Sequence, residues 1–245
     1  MTTARRYDDL IEEGFTLTSE AGEDRSESGR LLRARRELAL AIRRGEYQPN
    51  QRLPETELAA TLGISRPTLR SVFVALEQEN YISLERNRGA RVRQFSPVEA
   101  IEILHTREIL ESAAAGLAAA RITPEECERL EALLEKMVPA AVEHDSPAYS
   151  SANREFHGLV INASRQPTLI RFIRSTPYPL VMSQYRDPKT PHPRTESLRE
   201  HKAILAALWT GDSAATEAAM RFHLAATRRA LMLGSTEAGG AREGS

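Results

Sequence analysis

The chain has little of several features that define other classes of protein. A single cysteine among 245 residues, Cys127, excludes an internal disulfide framework, and we expect a reducing, cytoplasmic location. No apolar run is long enough to span a membrane, and the N-terminus lacks the basic-then-apolar pattern of a signal peptide. Aromatic residues make up only 5% of the chain, whereas alanine and leucine are abundant, which favours an all-helical protein.

The net charge of the chain is only −1, but the charged residues are unevenly distributed. Residues 7–24 contain seven acidic residues and no lysine or arginine. Residues 25–95 contain fourteen arginines, no lysine and eight glutamates, which leaves a net charge of +6. Residues 96–245 carry a net charge of −2. A basic segment confined to one part of a near-neutral chain is typical of a nucleic-acid-binding domain.

Hydrophobic periodicity and turn residues divide the sequence into four regions. Residues 1–27 are polar and acidic and predict a disordered arm. Residues 28–95 predict three helices followed by a β-hairpin, and residues 96–233 predict an all-helical domain that begins with a capping box at Ser96. Residues 234–245 predict a disordered tail. The predicted fold class is therefore mainly α: a winged helix-turn-helix followed by a bundle of six or seven helices. The predicted bundle helices are 97–121, 124–143, 147–164, 167–183, 195–210 and 213–233.

Residues 55–74 have the pattern that a helix-turn-helix requires. Ala59 supplies the small residue where two helices cross, and Gly63 supplies the turn. Apolar residues at the positions that lock both helices to a third are Leu58, Leu62, Ile64, Leu69 and Val72. In such a unit the second helix lies in the major groove, with its N-terminal residues against base edges.

The predicted second helix presents basic side chains from its first turns. Ser65 is its expected N-cap, and Pro67 fits the first turn because the missing N–H has no intrahelical partner there. Arg66 and Arg70 lie four residues apart on one face, where arginine can pair with guanine O6 and N7. Thr68 can reach a phosphate or a thymine methyl group.

The predicted hairpin forms a basic wing suited to backbone contact or minor-groove insertion. Its four arginines, Arg86, Arg88, Arg91 and Arg93, surround Asn87 and Gly89. The alternative is a solvated basic face on a small structural three-helix unit. Turn pattern, wing and local charge together favour DNA binding.

One motif carries a family resemblance. Residues 45–70 read G-x-Y-x-P-x-x-R-L-P-E-x-x-L-A-x-x-L-G-x-S-R-x-x-x-R, which resembles the DNA-binding domain of the GntR family of bacterial transcriptional regulators. Asn50 stands where the family usually has glycine, and Ser71-Val72-Phe73 replaces the commoner Glu-Ala-Leu. The DNA-contact positions that the resemblance implies are Thr56, Ser65, Arg66, Thr68, Arg70, Asn87, Arg88 and Gly89.

Three histidines of the second half lie on the apolar faces of three predicted helices: His157, His201 and His223. Each buried imidazole needs a hydrogen-bonding partner. Three neutral imidazoles that face one bundle interior can form a divalent-metal site, with Asn153, four residues before His157, supplying one edge. The alternative is three separately satisfied core histidines, and the spacing alone leaves both interpretations open.

A second resemblance covers residues 97–233, which are similar to the FCD effector domain of the FadR subfamily of these regulators. The segments that carry it are REILESAAAGLAAARIT, NREFHGLVINAS, LREHKAILAALWTGD and AAMRFHLAATRRAL. The resemblance implies a metal such as zinc, nickel or manganese, held by an Asp and three His, with a small carboxylate effector beside it. The implied metal positions here are Asn153, His157, His201 and His223. Asn153 replaces the commoner Asp, and its neutral amide oxygen is a weaker ligand for a hard cation.

Arg107 matches a pocket arginine of that domain and can clamp the carboxylate of the effector. The alternative is a surface ion pair with Glu111, four residues later in the same helix.

These features predict a ligand-responsive transcription factor, most simply a repressor. It would bind a palindromic operator in double-stranded DNA as a homodimer and be released by a small carboxylate, with no membrane partner. Two other classes stay open: a metal-dependent enzyme that uses the histidine cluster, and a DNA-architectural protein without an effector. Against the enzyme, no general base is evident near the histidines.

Overall fold

The structure is a computed structural model that describes four stretches of the chain: 26–85, 89–142, 146–185 and 194–240. The chain folds as two units, one ending at Val92 and the other beginning at Arg93. The predicted acidic arm lies, except for its last two residues, outside the described residues.

In its described part the first unit contains three helices: α1 (Glu27–Arg43), α2 (Glu55–Thr61) and α3 (Arg66–Gln78). Ser65 caps α3 as predicted, since its Oγ accepts from the backbone N–H of Thr68 at 3.2 Å. Gly63 turns the chain between α2 and α3 with φ +62°, a left-handed conformation that glycine adopts without strain. The core joins α1 to α3 and contains Leu38, Ile42, Leu69, Val72 and Leu76.

A three-stranded antiparallel sheet completes this unit, with strands in the order β1-β3-β2: β1 (Arg52–Leu53), β2 (Ile82–Glu85) and β3 (Gly89–Val92). The predicted hairpin is β2–β3, in which Ile82 pairs with Val92 and Glu85 with Gly89. Strand β1 lies between α1 and α2, where the predicted arrangement of three helices and a hairpin contains no strand. A two-residue strand is too short to show an alternating pattern; it forms because the buried Leu53 brings it against β3.

The backbone conformation at Asn50 explains how asparagine can replace the glycine that the family motif usually has at this position. Its φ is +62°, in the left-handed region where glycine is the usual residue. Asparagine tolerates this region better than most side chains do. The backbone conformation is therefore kept although the glycine is absent.

The described part of the second unit contains seven helices: α4 (Pro97–Ala119), α5 (Pro124–Val142), α6 (Ser146–Ala163), α7 (Pro167–Ser175), α8 (Tyr178–Tyr185), α9 (Arg194–Thr210) and α10 (Ser213–Gly240). The predicted cap at Ser96 is present, since its Oγ accepts from the backbone N–H of Glu99 at 3.1 Å. The mainly α fold class, with a winged helix-turn-helix before a helical bundle, is confirmed.

Two predicted helix ranges differ from the structure. The helix predicted over 167–183 is divided into α7 and α8, because Thr176 is extended (ψ 134°) ahead of Pro177, as residues before proline prefer. Helix α10 continues to Gly240, past the predicted end at 233. None of the described helices has the length and apolar character needed to cross a membrane.

The core of the second unit is mainly apolar, but it also contains buried ionisable side chains. Its largest buried residues include Leu130, Met137, Phe156, Ile204 and Leu208. The buried acidic and imidazole side chains are Glu108, Glu111, His157, Glu200, His201 and His223. Burying such groups costs free energy unless they are paired. Their partners therefore indicate whether the region is structural or binds a ligand.

Candidate nucleic-acid interface and metal centre

The exposed face of α3 carries both arginines of the predicted recognition helix. The side chains of Arg66 and Arg70 are 58% and 64% exposed. Both approach one carboxylate oxygen, because Glu55 Oε2 lies 3.5 Å from Arg66 Nη2 and 3.2 Å from Arg70 Nε. The sequence does not identify Glu55 as their partner. An acidic residue in the first turn of a helix is ordinarily explained by the helix dipole, and only the packing of α2 against α3 reveals the second role.

Thr68 is another predicted DNA contact. Its side chain is buried, at 8% exposed, and its Oγ1 lies 2.7 Å from Ser65 Oγ. This contact links Thr68 to the N-cap of α3. The predicted DNA contact of Thr68 stays a prediction. Ser65 and Thr56 are exposed, which is compatible with their predicted contact role.

The structure describes only part of the predicted wing. Residues 86–88, which include the predicted contacts Asn87 and Arg88, lie outside the described residues. Gly89 opens β3 with φ +85°, a conformation that favours glycine. Its predicted contact role stays a prediction.

Two further wing arginines have intramolecular partners. Arg91 Nε lies 3.3 Å from Glu85 Oε1, and Arg91 Nη1 donates to the backbone oxygen of Asn50 at 3.0 Å. Arg93 directly follows β3 and pairs with Glu99.

In the second unit the three predicted histidines come from α6, α9 and α10 and meet at one point. His157 Nε2 lies 3.2 Å from His223 Nε2 and 3.3 Å from His201 Nε2. The three residues are almost fully buried, with 6% of His157, 0% of His201 and 4% of His223 exposed. One ligand atom from each ring lies within 4.8 Å of the others.

Each ring is held through its other nitrogen by an oxygen acceptor. The pairs are His157 Nδ1 with Glu111 Oε2 at 3.1 Å, His223 Nδ1 with Glu200 Oε2 at 2.8 Å, and His201 Nδ1 with the backbone oxygen of Ser197 at 2.6 Å. Carboxylate and carbonyl oxygens only accept hydrogen bonds. In each neutral imidazole the proton is therefore on Nδ1, and Nε2 presents a lone pair.

The lone pairs on the converging Nε2 atoms repel one another unless a cation or a proton lies between them. Protonation is disfavoured at His223, because burial lowers its pKa despite the opposing effect of its hydrogen bond to Glu200. Nitrogen ligands about 2.0–2.1 Å from a tetrahedral zinc ion are about 3.3 Å apart, close to the two distances observed. The donor set therefore fits a divalent metal ion.

Glu111 connects this histidine cluster to Arg107. Glu111 is fully buried; its Oε1 pairs with the guanidinium of Arg107, and its Oε2 contacts His157. Burial would raise the pKa of Glu111, but Arg107 and the hydrogen bond that Glu111 accepts from His157 hold the pKa below its usual value. The Arg107 guanidinium also lies over the ring of Tyr178, 3.6 Å from its centroid. The ion pair with Glu111 is thus present, but it is internal, and its predicted surface location is wrong.

Asn153 lies one turn before His157 in α6 and is half-buried. Its role as a fourth ligand stays a prediction. The sequence does not identify the outer partners Glu111, Ser197 and Glu200. The weak signals available are that Glu200 directly precedes a histidine and that Glu111 follows Arg107 by four residues.

Together these features define a class: a DNA-binding regulator with a winged helix-turn-helix and a separate helical domain built around inward-facing imidazoles. Two family descriptions match the chain. "Bacterial regulatory proteins, gntR family" matches residues 32–92, and "FCD domain" matches residues 102–226. The chain belongs to the GntR family of bacterial transcriptional regulators and carries an FCD domain.

Individual relatives agree with this assignment. The galactonate operon transcriptional repressor of Escherichia coli is 28% identical over 216 residues, which cover 78% of this chain and 93% of that protein. The Uxu operon transcriptional regulator of E. coli is 26% identical over 208 residues, which cover 76% and 80%. The solved structure of E. coli McbR/YncC matches the fold with a TM-score of 0.72 and 24% identity, over 83% of this chain and 97% of that chain. The matching families and curated relatives are transcriptional regulators, which removes the metal-dependent enzyme as an alternative.

Proposed function

We propose that this regulator is a repressor that binds a palindromic operator as a homodimer and leaves it when a small carboxylate binds beside a divalent metal ion. The observation that carries the proposal is the convergence of imidazole Nε2 atoms, each oriented by an acceptor on Nδ1. Metal-binding histidines show this arrangement of outer acceptors. Three core histidines with separate hydrogen-bonding partners would need one partner each. Unprotonated Nε2 atoms that face one another would not stabilise such an arrangement.

The proposed metal ligands are His157, His201 and His223, with the amide oxygen of Asn153 as a fourth. Imidazole donors suit zinc and nickel, whereas manganese prefers carboxylate, carbonyl and water oxygens. Because the proposed set contains three imidazoles and no carboxylate, it favours zinc or nickel over manganese.

The charges around the cluster support an anionic effector. Glu111 and Glu200 contribute two negative charges, Arg107 contributes one positive charge, and a divalent ion adds two, which leaves +1. A carboxylate would neutralise this charge. Arg107 Nε is buried and has no hydrogen-bond acceptor within the described residues, so the guanidinium keeps a donor for a ligand. Galactonate, which names the operon of one relative, is a carboxylate of the kind proposed.

The dimer follows from how helix-turn-helix units read DNA. One recognition helix contacts one half-site, and two-fold related copies match half-sites about one helical turn apart. An effector releases such a dimer if it binds better to an arrangement of the two DNA-binding domains that does not fit the operator.

Metal analysis tests the centre of the proposal. Purified protein is expected to contain about one divalent ion per chain, and chelation is expected to lower the melting temperature reversibly, because a ligand that binds only the folded state stabilises it. The measurement is elemental analysis with melting curves before and after chelation. Exposed His105 offers a control, since His105→Ala should keep the metal. If the chelator changes neither the metal content nor the melting temperature, the proposed metal site is wrong.

Operator selection and effector screening test the rest. Duplexes selected from a random library are expected to contain two inverted half-sites with centres about 10 base pairs, or a multiple, apart. A carboxylate found by thermal-shift screening with metal present should reduce operator binding measured by fluorescence anisotropy. The same carboxylate should have no effect on the chelated protein. Release that persists without metal would place the effector elsewhere.

A further inference from the structure

We infer that Glu55 is a specificity-determining residue of the DNA interface, where it positions Arg66 and Arg70 for base contact. This inference rests on the proposed base-contact role of those two arginines. Its observation is independent of the metal centre: one carboxylate oxygen, on the helix that precedes the recognition helix, contacts both guanidinium groups.

The two contacts use different atoms of the arginines. Arg70 donates to Glu55 through Nε at 3.2 Å, which leaves both terminal nitrogens of Arg70 without an ion-pair partner in the described part of the chain. Bidentate recognition of guanine O6 and N7 needs two parallel N–H donors. Glu55 can therefore keep its contact with Arg70 while that arginine reads a base. Arg66 uses Nη2 at the longer distance of 3.5 Å, so DNA can replace this contact more easily.

Two physical effects then make Glu55 raise the preference for the operator over other DNA. An arginine that is already oriented loses less side-chain freedom on binding, and this gain applies only where the base edge fits. In addition, the carboxylate lies beside the recognition arginines and reduces the positive charge available to phosphates. Attraction to phosphates supplies essentially all of non-specific binding. Because exposed ion pairs contribute little to stability, the fold should not depend on Glu55.

Glu57 provides a matched control. It lies in the first turn of the same helix and is exposed, and within the described residues its carboxylate pairs with no arginine. Glu55→Gln and Glu57→Gln each remove one negative charge from the same turn. Only the first removes the contacts with the recognition arginines.

The test compares two duplexes: the tightest one that the wild-type protein selects from a random library, and a scrambled duplex of the same composition. Binding is measured by fluorescence anisotropy over a range of salt concentrations. Both variants are expected to bind the scrambled duplex more tightly, with a steeper salt dependence. Only Glu55→Gln should lower the ratio of selected to scrambled affinity, by about 2- to 10-fold. Replacing the contacted guanine by 7-deazaguanine should weaken wild-type binding more than it weakens binding by Glu55→Gln.

An equal change of the ratio in both variants would overturn the inference, because charge alone would then explain it. A lower melting temperature of Glu55→Gln with an unchanged ratio would also overturn it, since a structural defect weakens binding to both duplexes alike. Arg70→Ala separates this inference from the proposal beneath it. If Arg70→Ala leaves the affinity for the selected duplex unchanged, the base-contact role itself fails; if it lowers that affinity while Glu55→Gln keeps the ratio, only the inference fails.

Discussion

Replacing His157 by alanine is expected to abolish tight binding of divalent metal. His157 Nε2 is the atom that lies 3.2 Å from His223 Nε2 and 3.3 Å from His201 Nε2, so its loss removes the ligand at the centre of the set. Substituting an outer partner of a metal ligand typically costs about 10- to 100-fold in metal affinity, and loss of the ligand itself should cost more. Competition with a chelating dye of known affinity measures the change.

Glu111→Gln provides a graded comparison. The amide can still accept a hydrogen bond from His157 Nδ1, but it loses the negative charge that pairs with Arg107. We therefore expect a smaller loss of metal affinity, within the range of about 10- to 100-fold for outer partners. An effect of Glu111→Gln larger than that of His157→Ala would contradict the assignment of His157 as the ligand.

The variants must be compared by a quantity that a cavity in the core does not change. Removing a buried side chain destabilises the metal-free protein too, so absolute melting temperatures mix two effects. The difference in melting temperature between metal-loaded and chelated protein isolates the metal. It should disappear in His157→Ala and persist in His105→Ala. A His157→Ala protein that keeps this difference would show that the histidine cluster does not bind the metal.

The DNA-binding half could be predicted in detail because its signals are local. The serine cap, the glycine turn and the apolar spacing of α2 and α3 all lie within a few residues of one another. Non-local contacts were not predictable in this way. Strand β1 exists through its pairing with β3, in which Arg52 pairs with Arg91 and Leu53 with Ala90. The burial of Thr68 follows from how the start of α3 packs.

The metal centre shows the same limit. Helical periodicity places His157 on the inner face of its helix, so convergence with other histidines could be expected. Periodicity does not reveal which helices pack side by side. The contact between Glu111 and His157 joins residues 46 positions apart, and the double contact of Glu55 depends likewise on the crossing of two helices. Outer partners of a site are fixed by tertiary packing, and a single sequence gives few signs of it.

Replacing both Arg66 and Arg70 by alanine is expected to abolish sequence-specific DNA binding. Each bidentate arginine–guanine pair contributes about 1–3 kcal/mol of discrimination. The double variant should therefore lose about 30-fold to more than 10,000-fold in affinity for the selected duplex, while it keeps most of its weaker affinity for scrambled DNA. Anisotropy titrations with both duplexes at one salt concentration measure the two changes together.

A double variant with the same loss of charge provides the control. Arg35 lies on α1 and pairs with Glu79. Arg44 lies at the end of α1 and pairs with Glu46. Alanine at both positions should weaken binding to the two duplexes by similar factors, because those arginines can act on DNA only through its phosphates. An equal loss of specificity in this control would contradict the base-contact role of the recognition arginines.

The single variants then report whether the two arginines act together. Residues that share a partner are generally not additive, with coupling energies of about 0.5–3 kcal/mol. Arg66 and Arg70 share one oxygen of Glu55, so the sum of the two single losses should differ from the loss in the double variant. In a Glu55→Gln background the single losses should add. Additive losses in both backgrounds would mean that each arginine contacts DNA independently of that carboxylate.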